Sequence, residues 1–235
     1  MTHTLTIVGI GNHSMDDLPL GVYRFLKQQQ SVYARTLEHP VIKDLKGDIE
    51  FKSFDNVYEK YDQFEAVYQY IVETLIEETR IQDTVYVVPG HPRVAETTTA
   101  KLLDYNKNNN DIHVKILGGK SFIDDIFVAI DEDPNDGFTL LDGTILKENT
   151  LNIRTHTLIT QVYSAMIAAD VKLTLMECYP DDFKVKIVTD ANSHGAKVLE
   201  VPLFELDHNE DIFNNLTSVF VPKITCDEDM YTDFD

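Results

Sequence analysis

Leu5–Gly11 has the sequence LTIVGIG, a short apolar run that ends in two closely spaced glycines. An apolar run of this length followed by glycine predicts a buried strand and a tight turn. Two later strands are predicted to end in the same way: Thr84–Val88 continues into Pro89–Pro92 (PGHP), and His113–Leu117 continues into Gly118–Ser121 (GGKS). Amphipathic helices are predicted between the strands, so the first half of the chain has the alternation of a mostly parallel sheet covered by helices.

The three glycine-bearing loops are expected to lie together. The carboxyl ends of parallel strands meet at one edge of an open sheet, and ligands bind at that edge. Shorter strands are predicted at Ser31–Ala34 and Ile49–Phe51, and the strongest helix prediction is Gln63–Arg80, where apolar residues recur at helical spacing. The sequence therefore predicts a ligand site at the carboxyl edge of this sheet.

A change of pattern divides the chain into two predicted domains. Asp131–Gly143 is rich in Asp, Gly and Pro, which predicts a linker. We therefore expect an N-terminal α/β domain over residues 1–135, a C-terminal mixed α/β domain over 136–225 and an acidic, solvated tail over 226–235. The second domain is predicted to contain one short helix, Ser164–Asp170, and strands at Thr157–Gln161, Val171–Met176, Lys184–Thr189, Val198–Phe204 and Leu216–Val221.

The composition excludes several classes of partner. The 235 residues include 20 Lys and Arg against 40 Asp and Glu, a formal net charge of −20. Nucleic acids and anionic membrane surfaces require clustered cations, so both are disfavoured as partners. No signal peptide and no membrane span is predicted. Two cysteines, Cys178 and Cys226, are too few for a disulfide framework, which favours a reduced, cytoplasmic location.

Several familiar motifs are incomplete in this sequence. A dinucleotide fingerprint would need a third glycine where Ser14 stands, and Gly118–Ser121 lacks the upstream glycine of a phosphate-binding loop. His13, His39 and His91 lie in predicted loops without the spacing of a metal motif, so no metal site is predicted. No catalytic triad can be inferred, and the catalytic residues stay unassigned.

Basic side chains follow the strands at the predicted ligand edge despite the acidic total. Arg35 and His39 follow the second strand, Arg93 follows the fourth and Lys120 follows the fifth. Two interpretations stay open. These charges are a chance spread of solubilising residues, or they form a cationic pocket for an anionic, polycarboxylate ligand, since hydrogen bonds to charged groups are strong.

Three motifs occur in order along the chain: Val8–Gly11 (VGIG), Val88–Pro92 (VPGHP) and Gly118–Phe122 (GGKSF). Together they resemble the tetrapyrrole (corrin/porphyrin) methylase family. The resemblance implies two α/β domains with a ligand cleft between them, in which S-adenosyl-L-methionine is bound largely by backbone groups. Three further segments, Pro19–Arg24, Arg35–Thr36 with Glu38–Pro40, and Tyr179–Asp182, resemble the methylase-like domain that precedes a MazG-type pyrophosphohydrolase domain in bacterial fusion proteins.

The resemblance also implies which residues bind the ligands. The implied cofactor-binding residues lie in loops of both domains and are Gly11, Asn12, Gly90, His91, Val94, Gly119, Ser121, Phe122, Gln161, Val162, Ala191 and Asn192. The implied acceptor is a small molecule such as a polycarboxylate tetrapyrrole, and the candidate substrate-binding residues are Arg35, His39, Arg93 and Lys120. A homodimer is implied as well. We further expect Gly119→Val to abolish cofactor binding while leaving the fold largely intact.

The first loop departs from the family pattern. Methylases of the family commonly have G-x-G-P-G-D there, whereas Gly9–Ser14 has the sequence GIGNHS. The resemblance places this loop where the acceptor would enter. The first hypothesis is therefore an S-adenosylmethionine-dependent methyltransferase of the tetrapyrrole methylase type. The alternative is a non-catalytic, methylase-like module that binds a nucleoside ligand or regulates a MazG-type nucleotide pyrophosphohydrolase.

Overall fold

The computed structural model describes residues 2–61, 63–192 and 194–224. The chain divides into two compact units, Met1–Asp124 and Asp125–Asp235. The domain boundary expected from the sequence, at 135/136, stays a prediction. The predicted acidic tail at 226–235 lies outside the described residues.

Five parallel strands form the sheet of the first unit, as the sequence predicted. They are β1 (His3–Gly9), β2 (Ser31–Ala34), β3 (Glu50–Ser53), β4 (Thr84–Val88) and β5 (Ile112–Leu117), and they lie in the order β3-β2-β4-β1-β5. β1 lies between β4 and β5, with Leu5 opposite Thr84 and Val114. This order makes the loops after β1, β4 and β5 neighbours at the carboxyl edge of the sheet.

Helices cover the sheet because each has an apolar face. They are α1 (Leu20–Leu26), α2 (Pro40–Leu45), α3 (Asp55–Lys60), α4 (Phe64–Ile81) and α5 (Thr97–Asn108), and α6 (Phe122–Ile130) follows β5. In α4, Val67, Ile71 and Leu75 recur every four residues and are buried. Burying each Val, Ile or Leu side chain contributes about 1.5–3 kcal/mol.

The second unit contains a mixed sheet. Its strands are β6 (Phe138–Asp142), β7 (His156–Thr160), β8 (Lys184–Asn192), β9 (Gly195–Pro202) and β10 (Ser218–Val221), in the order β6-β7-β10-β8-β9. β6 is parallel to β7, and the other neighbours are antiparallel. The helix α7 (Ala165–Met176) packs its buried face into the core of this unit.

Two local predictions in this half of the chain were wrong. Val171–Met176 was predicted as a strand because polar and apolar residues alternate, but it is the second half of α7. Val171 and Leu175, four residues apart, are both fully buried, whereas Leu173 is exposed, so the helical spacing determines the structure. The predicted linker Asp131–Gly143 contains the strand β6, which pairs with β7 at the edge of the sheet.

Candidate functional site

Three glycines from three loops meet at the carboxyl edge of the first sheet. A Cβ atom built on Gly9 would lie 2.5 Å from the carbonyl oxygen of Gly90 and 2.7 Å from the nitrogen of Gly119. A Cβ on Gly119 would lie 2.6 Å from the carbonyl oxygens of Gly9 and Gly90. Real Cβ atoms do not approach backbone atoms this closely, so the three loops converge only because Gly9 and Gly119 lack side chains, while Gly90 contributes its carbonyl oxygen to the contact.

A pair of backbone hydrogen bonds joins the first two loops. The nitrogen of Gly11 donates to the oxygen of Gly90 at 3.3 Å, and the nitrogen of Gly90 donates to the oxygen of Gly11 at 2.7 Å. Both glycines have left-handed backbone conformations, with φ of 75° and 65°. Glycine adopts this region without the steric cost that a side chain brings. The glycines at positions 11 and 90 therefore allow the two loops to form this pair of hydrogen bonds. The expectation that the glycine-bearing loops lie together is confirmed.

The expectation about Gly119→Val needs correction. Its side chain would displace the backbones of Gly9 and Gly90, so the substitution would disrupt the packing of the loops rather than only block a ligand. Loss of binding in that variant would therefore not report on the site alone.

The other implied residues of these loops lie beside the glycines. A Cβ on Gly118 would lie 3.0 Å from Nε2 of His91, and Nδ1 of His91 accepts a hydrogen bond from the nitrogen of Arg93 at 3.1 Å. Asn12 directly follows Gly11 in the chain. Its Oδ1 lies beside the second loop, 3.4 Å from the position that a Cβ on Gly90 would occupy. Val94 is partly buried, and its nitrogen donates to the oxygen of His91.

Ser121 and Phe122 lie where α6 begins. The nitrogen of Ser121 donates to Oδ2 of Asp124 at 2.9 Å, and Oγ of Ser121 accepts from the nitrogen of Ile123 at 3.2 Å. The carboxylate is favourably placed near the positive end of the helix dipole. Both implied residues are partly buried. Ser121 is thus occupied in fixing the start of the helix.

Arg35 lies in a network with a buried acid that the sequence analysis did not single out. Its Nη1 donates to Oε2 of Glu96 at 2.7 Å, and its Nε donates to the hydroxyl of Tyr58 at 3.1 Å. The Glu96 side chain is 3% exposed, and that of Arg35 is 30% exposed. Burial lowers the pKa of Arg35, but the charge of Glu96 and the Tyr58 hydroxyl outweigh it and raise the pKa above its ordinary value.

Lys120 also forms an ion pair with a buried carboxylate. Its Nζ lies 3.0 Å from Oδ1 of Asp17, whose side chain is 3% exposed. Asp17 follows the first loop and Lys120 belongs to the third, so this ion pair joins two of the converging loops. The sequence offered no local signal for the pair, because its partners are 103 residues apart.

His39 and Arg93 have opposite surroundings. His39 is buried and interacts with the backbone of Gly11 and Asn12. Burial lowers the pKa of His39 below its ordinary value, and the two backbone groups offset this only in part, so the ring is neutral at pH 7. Arg93 is exposed. Of the four candidate substrate-binding residues, two are paired with buried carboxylates and one is a buried neutral imidazole.

The implied residues of the second unit lie at one edge of its sheet. β7 and β8 both run antiparallel to β10, so Gln161 after β7 and Ala191 and Asn192 at the end of β8 are at the same edge. Val162 is fully buried, and its nitrogen donates to the oxygen of Thr217. The side chain of Val162 therefore belongs to the core, and Gln161, Ala191 and Asn192 are partly buried.

Asn214, which the sequence analysis missed, organises this edge. Its Oδ1 accepts from the Thr189 hydroxyl at 3.2 Å and from the nitrogen of Leu216 at 2.8 Å, and its Nδ2 donates to Oδ1 of Asp190 at 3.2 Å. Gln161 and Asp190 both have left-handed backbones, with φ of 62° and 56°, although neither is glycine. Such conformations cost free energy and are retained where surrounding contacts fix them.

In the described parts of the chain, no three His, Cys, Asp or Glu side chains are grouped closely enough to hold a metal ion. None of the helices there combines the length and the apolar character that a membrane crossing requires.

The sequence profile described as Tetrapyrrole (Corrin/Porphyrin) Methylases matches residues 4–207. The chain belongs to this family. A curated relative of this methylase-family chain, the uncharacterized protein YabN of Bacillus subtilis strain 168, is 45% identical over 235 residues, which is all of this chain. The chain spans 48% of the length of that relative.

Three solved structures share the fold, each with a TM-score of 0.68. A diphthine synthase is 17% identical and covers 94% of this chain, with 90% of its own chain covered. A uroporphyrin-III-C-methyltransferase from Thermus thermophilus is 18% identical, with 95% and 93% covered. A cobalt precorrin-4 methyltransferase, described as a cobalamin biosynthetic enzyme, is 16% identical, with 93% and 94% covered. The predicted fold class, two α/β domains of the methylase type, is confirmed.

Proposed function

We propose that the protein is an S-adenosylmethionine-dependent methyltransferase that acts on a small-molecule acceptor. The observation that carries the proposal is the convergence of Gly9, Gly90 and Gly119, which brings three loops into backbone contact at the carboxyl edge of the parallel sheet. Family membership and the fold shared with three methyltransferases or synthases of this type support the same conclusion. Sheet edges of this kind are where α/β proteins bind ligands.

The residues at this edge fit S-adenosylmethionine. Gly11 and Gly90 leave backbone groups rather than bulky side chains beside Asn12 and His91, so hydrogen bonds to the polar ends of the cofactor would come largely from the main chain. In the second unit, Gln161, Ala191 and Asn192 stand at one sheet edge and are proposed to contact the adenosine. Val162 is proposed to contribute backbone atoms only, because its side chain is fully buried.

The chemistry requires alignment more than acid or base catalysis. The sulfonium of the bound cofactor supplies an electrophilic methyl group. The proposed work of the chain is to hold donor and acceptor at near-contact distance and to exclude water, which can contribute about 7–11 kcal/mol to lowering a barrier. The loop from Gly90 to Val94, fixed at its start by the bridge to Gly11, is the proposed positioning element.

The proposed acceptor is a tetrapyrrole that carries carboxylates. Two of the structural relatives are named for tetrapyrrole substrates, uroporphyrin III and cobalt precorrin-4. The charges at the loop edge of the first unit limit how many carboxylates can be recognised there. Lys120 and Arg35 already neutralise Asp17 and Glu96, so exposed Arg93 is the strongest candidate for pairing with an acceptor carboxylate.

The finer predictions about cellular context are part of the proposal. A cytoplasmic location, a homodimer and association with a MazG-type domain all stay predictions. YabN is about twice as long as this chain, so that protein is long enough to contain a further domain. Its name gives no activity.

Calorimetry with S-adenosylhomocysteine tests the proposal directly. We expect saturable heat with one ligand per chain, and no heat with ATP, because the chain lacks a phosphate-binding loop. Absence of saturable heat with S-adenosylhomocysteine would rule the proposal out. Transfer of a radiolabelled methyl group to uroporphyrinogen III would establish the acceptor class, whereas binding without turnover would support the non-catalytic alternative.

A further inference from the structure

The loop from Pro89 to Glu96 is fixed at both ends by different kinds of contact. At its start, Gly90 exchanges backbone hydrogen bonds with Gly11. At its end, Glu96 forms the buried ion pair with Arg35. The segment between these anchors contains His91 and Val94, which the proposed function assigns to the cofactor.

Glu96 occupies an unusual position for a residue at the start of a helix. It directly precedes α5, yet its side chain does not cap the helix. The residue before it, Ala95, has a left-handed backbone with φ of 53°. Left-handed conformations cost about 1–2 kcal/mol for residues other than glycine. This strained turn immediately precedes Glu96, whose side chain is directed inward to Arg35.

Arg35 connects the end of β2 to three other segments of the first unit through its backbone and its guanidinium. Arg35 follows β2, where its nitrogen donates to the oxygen of Val87 on β4. Its side chain donates to Tyr58 on α3 and to Glu96 at the end of the loop. The bond from Nε to Tyr58 orients the planar guanidinium, and its Nη1 then donates to Glu96 in a fixed direction, which a point charge would not provide.

Tyr86 lies beside this network and does not compete with Glu96. It is fully buried on β4. Burial raises the pKa of Tyr86 well above its ordinary value, and the charge of Glu96 raises it further. Tyr86 therefore stays a neutral phenol and does not replace Glu96 as the partner of Arg35.

We propose that Glu96 and Tyr58 are positioning residues, which act through Arg35 to hold the loop from Gly90 to Glu96 in its cofactor-binding shape. This inference rests on the proposed function. Neither residue is assigned a contact with the cofactor, and both act by fixing the end of the loop opposite the Gly11 bridge.

Glu96→Gln tests the inference, because it removes the charge and keeps the shape of the side chain. We expect S-adenosylhomocysteine to bind at least about tenfold more weakly at a temperature well below the unfolding midpoint of every variant. Tyr58→Phe, which removes only one hydroxyl, should weaken binding about threefold and serves if Glu96→Gln does not fold. Binding of both variants within twofold of the wild type would overturn the inference.

The control variant is Asp207→Asn. Asp207 forms a partly buried ion pair with Lys172 at 2.7 Å in the second unit, remote in sequence from the loop. Its neutralisation should lower stability and leave binding unchanged. If Asp207→Asn weakened binding as much as Glu96→Gln, a general loss of stability would explain both results and the inference would be wrong.

Amide hydrogen exchange separates failure of the inference from failure of the proposed function. In ligand-free protein, Glu96→Gln should raise exchange in residues 90–96 and Asp207→Asn should not. If the wild type gave no heat with S-adenosylhomocysteine, the proposed function would fail. The exchange data would still decide whether Glu96 fixes the loop, and unchanged exchange would refute that role.

Discussion

The two units build their sheet-edge loops with different residues. In the first unit the loops touch backbone to backbone, and Gly9 and Gly119 stand where a Cβ would meet the backbones of the other two loops. In the second unit left-handed turns are formed by Gln161 and Asp190, and the side chain of Asn214 fixes the edge. Glycine is required where two backbones leave no room for a Cβ. A side-chain network suffices where the turn is the only constraint.

Gly9→Ala should break the first arrangement and have the largest effect. Its Cβ would meet Gly90 and Gly119 backbone atoms at 2.5 and 2.7 Å, so the loops after β4 and β5 would have to move apart from β1. We expect the free energy of unfolding to fall by about 3 kcal/mol or more, measured by urea denaturation.

Gly21→Ala is the matched control for this substitution. A Cβ on Gly21 meets nothing within 4 Å, and the residue lies in α1. Alanine should stabilise the helix there by about 0.5–1 kcal/mol. Equal losses at both positions would contradict the argument from backbone contact.

Asn214→Ala should break the second arrangement with a smaller effect. The substitution leaves the Thr189 hydroxyl and the nitrogen of Leu216 without the acceptor they share. We expect a loss of about 1–3 kcal/mol in the free energy of unfolding. Asn108→Ala, which removes one amide contact on the surface of α5, should change it by less than about 0.5 kcal/mol. A similar loss in the two variants would mean that the hydrogen bonds of Asn214 do not stabilise this sheet edge.

Gln161→Gly tests the left-handed turn of the second unit and should have the smallest effect on the free energy of unfolding. Glycine relieves the left-handed strain at this position but gives the unfolded chain more freedom, so we expect a net gain of about 0.5 kcal/mol. Gln161→Ala keeps the strain and should not gain stability, as measured by the midpoint of thermal unfolding. A loss in the glycine variant would indicate that the Gln161 side chain contributes more than its backbone costs.

The same contrast explains which parts of the site were predictable from the sequence. The glycine loops were predictable, because each glycine directly follows an apolar strand and parallel strands end at one edge. The pair of Arg35 and Glu96 was not, since 61 residues separate the partners and only the order of β2 beside β4 brings them together. Gln161 also carried no signal, because Gln does not mark a left-handed turn, and Asp190, although Asp tolerates this conformation, lies in a predicted strand-to-loop segment rich in polar residues where nothing singles it out.

The fold was predictable where local pattern and burial agree. β2 and β4 have the predicted bounds, and α4 is displaced from its prediction by one residue at each end. Val171–Met176 failed because its alternation fits a strand equally well, and only contact with the core of the second unit selects the helix. The strand β6 was missed because Asp, Gly and Pro surround a short edge strand, which gives the segment the composition of a linker.

The central position of β1 has a consequence for synthesis of the protein. β1 leaves the ribosome before both of its neighbours in the sheet, β4 and β5, which begin at Thr84 and Ile112. At translation rates of about 5–20 residues per second, this apolar strand waits several seconds for its partners. Pairing across such sequence separations is slow and exposes the nascent chain to aggregation. Folding of the first unit is thus expected to depend on protection of its N-terminal strand until the third glycine loop has been made.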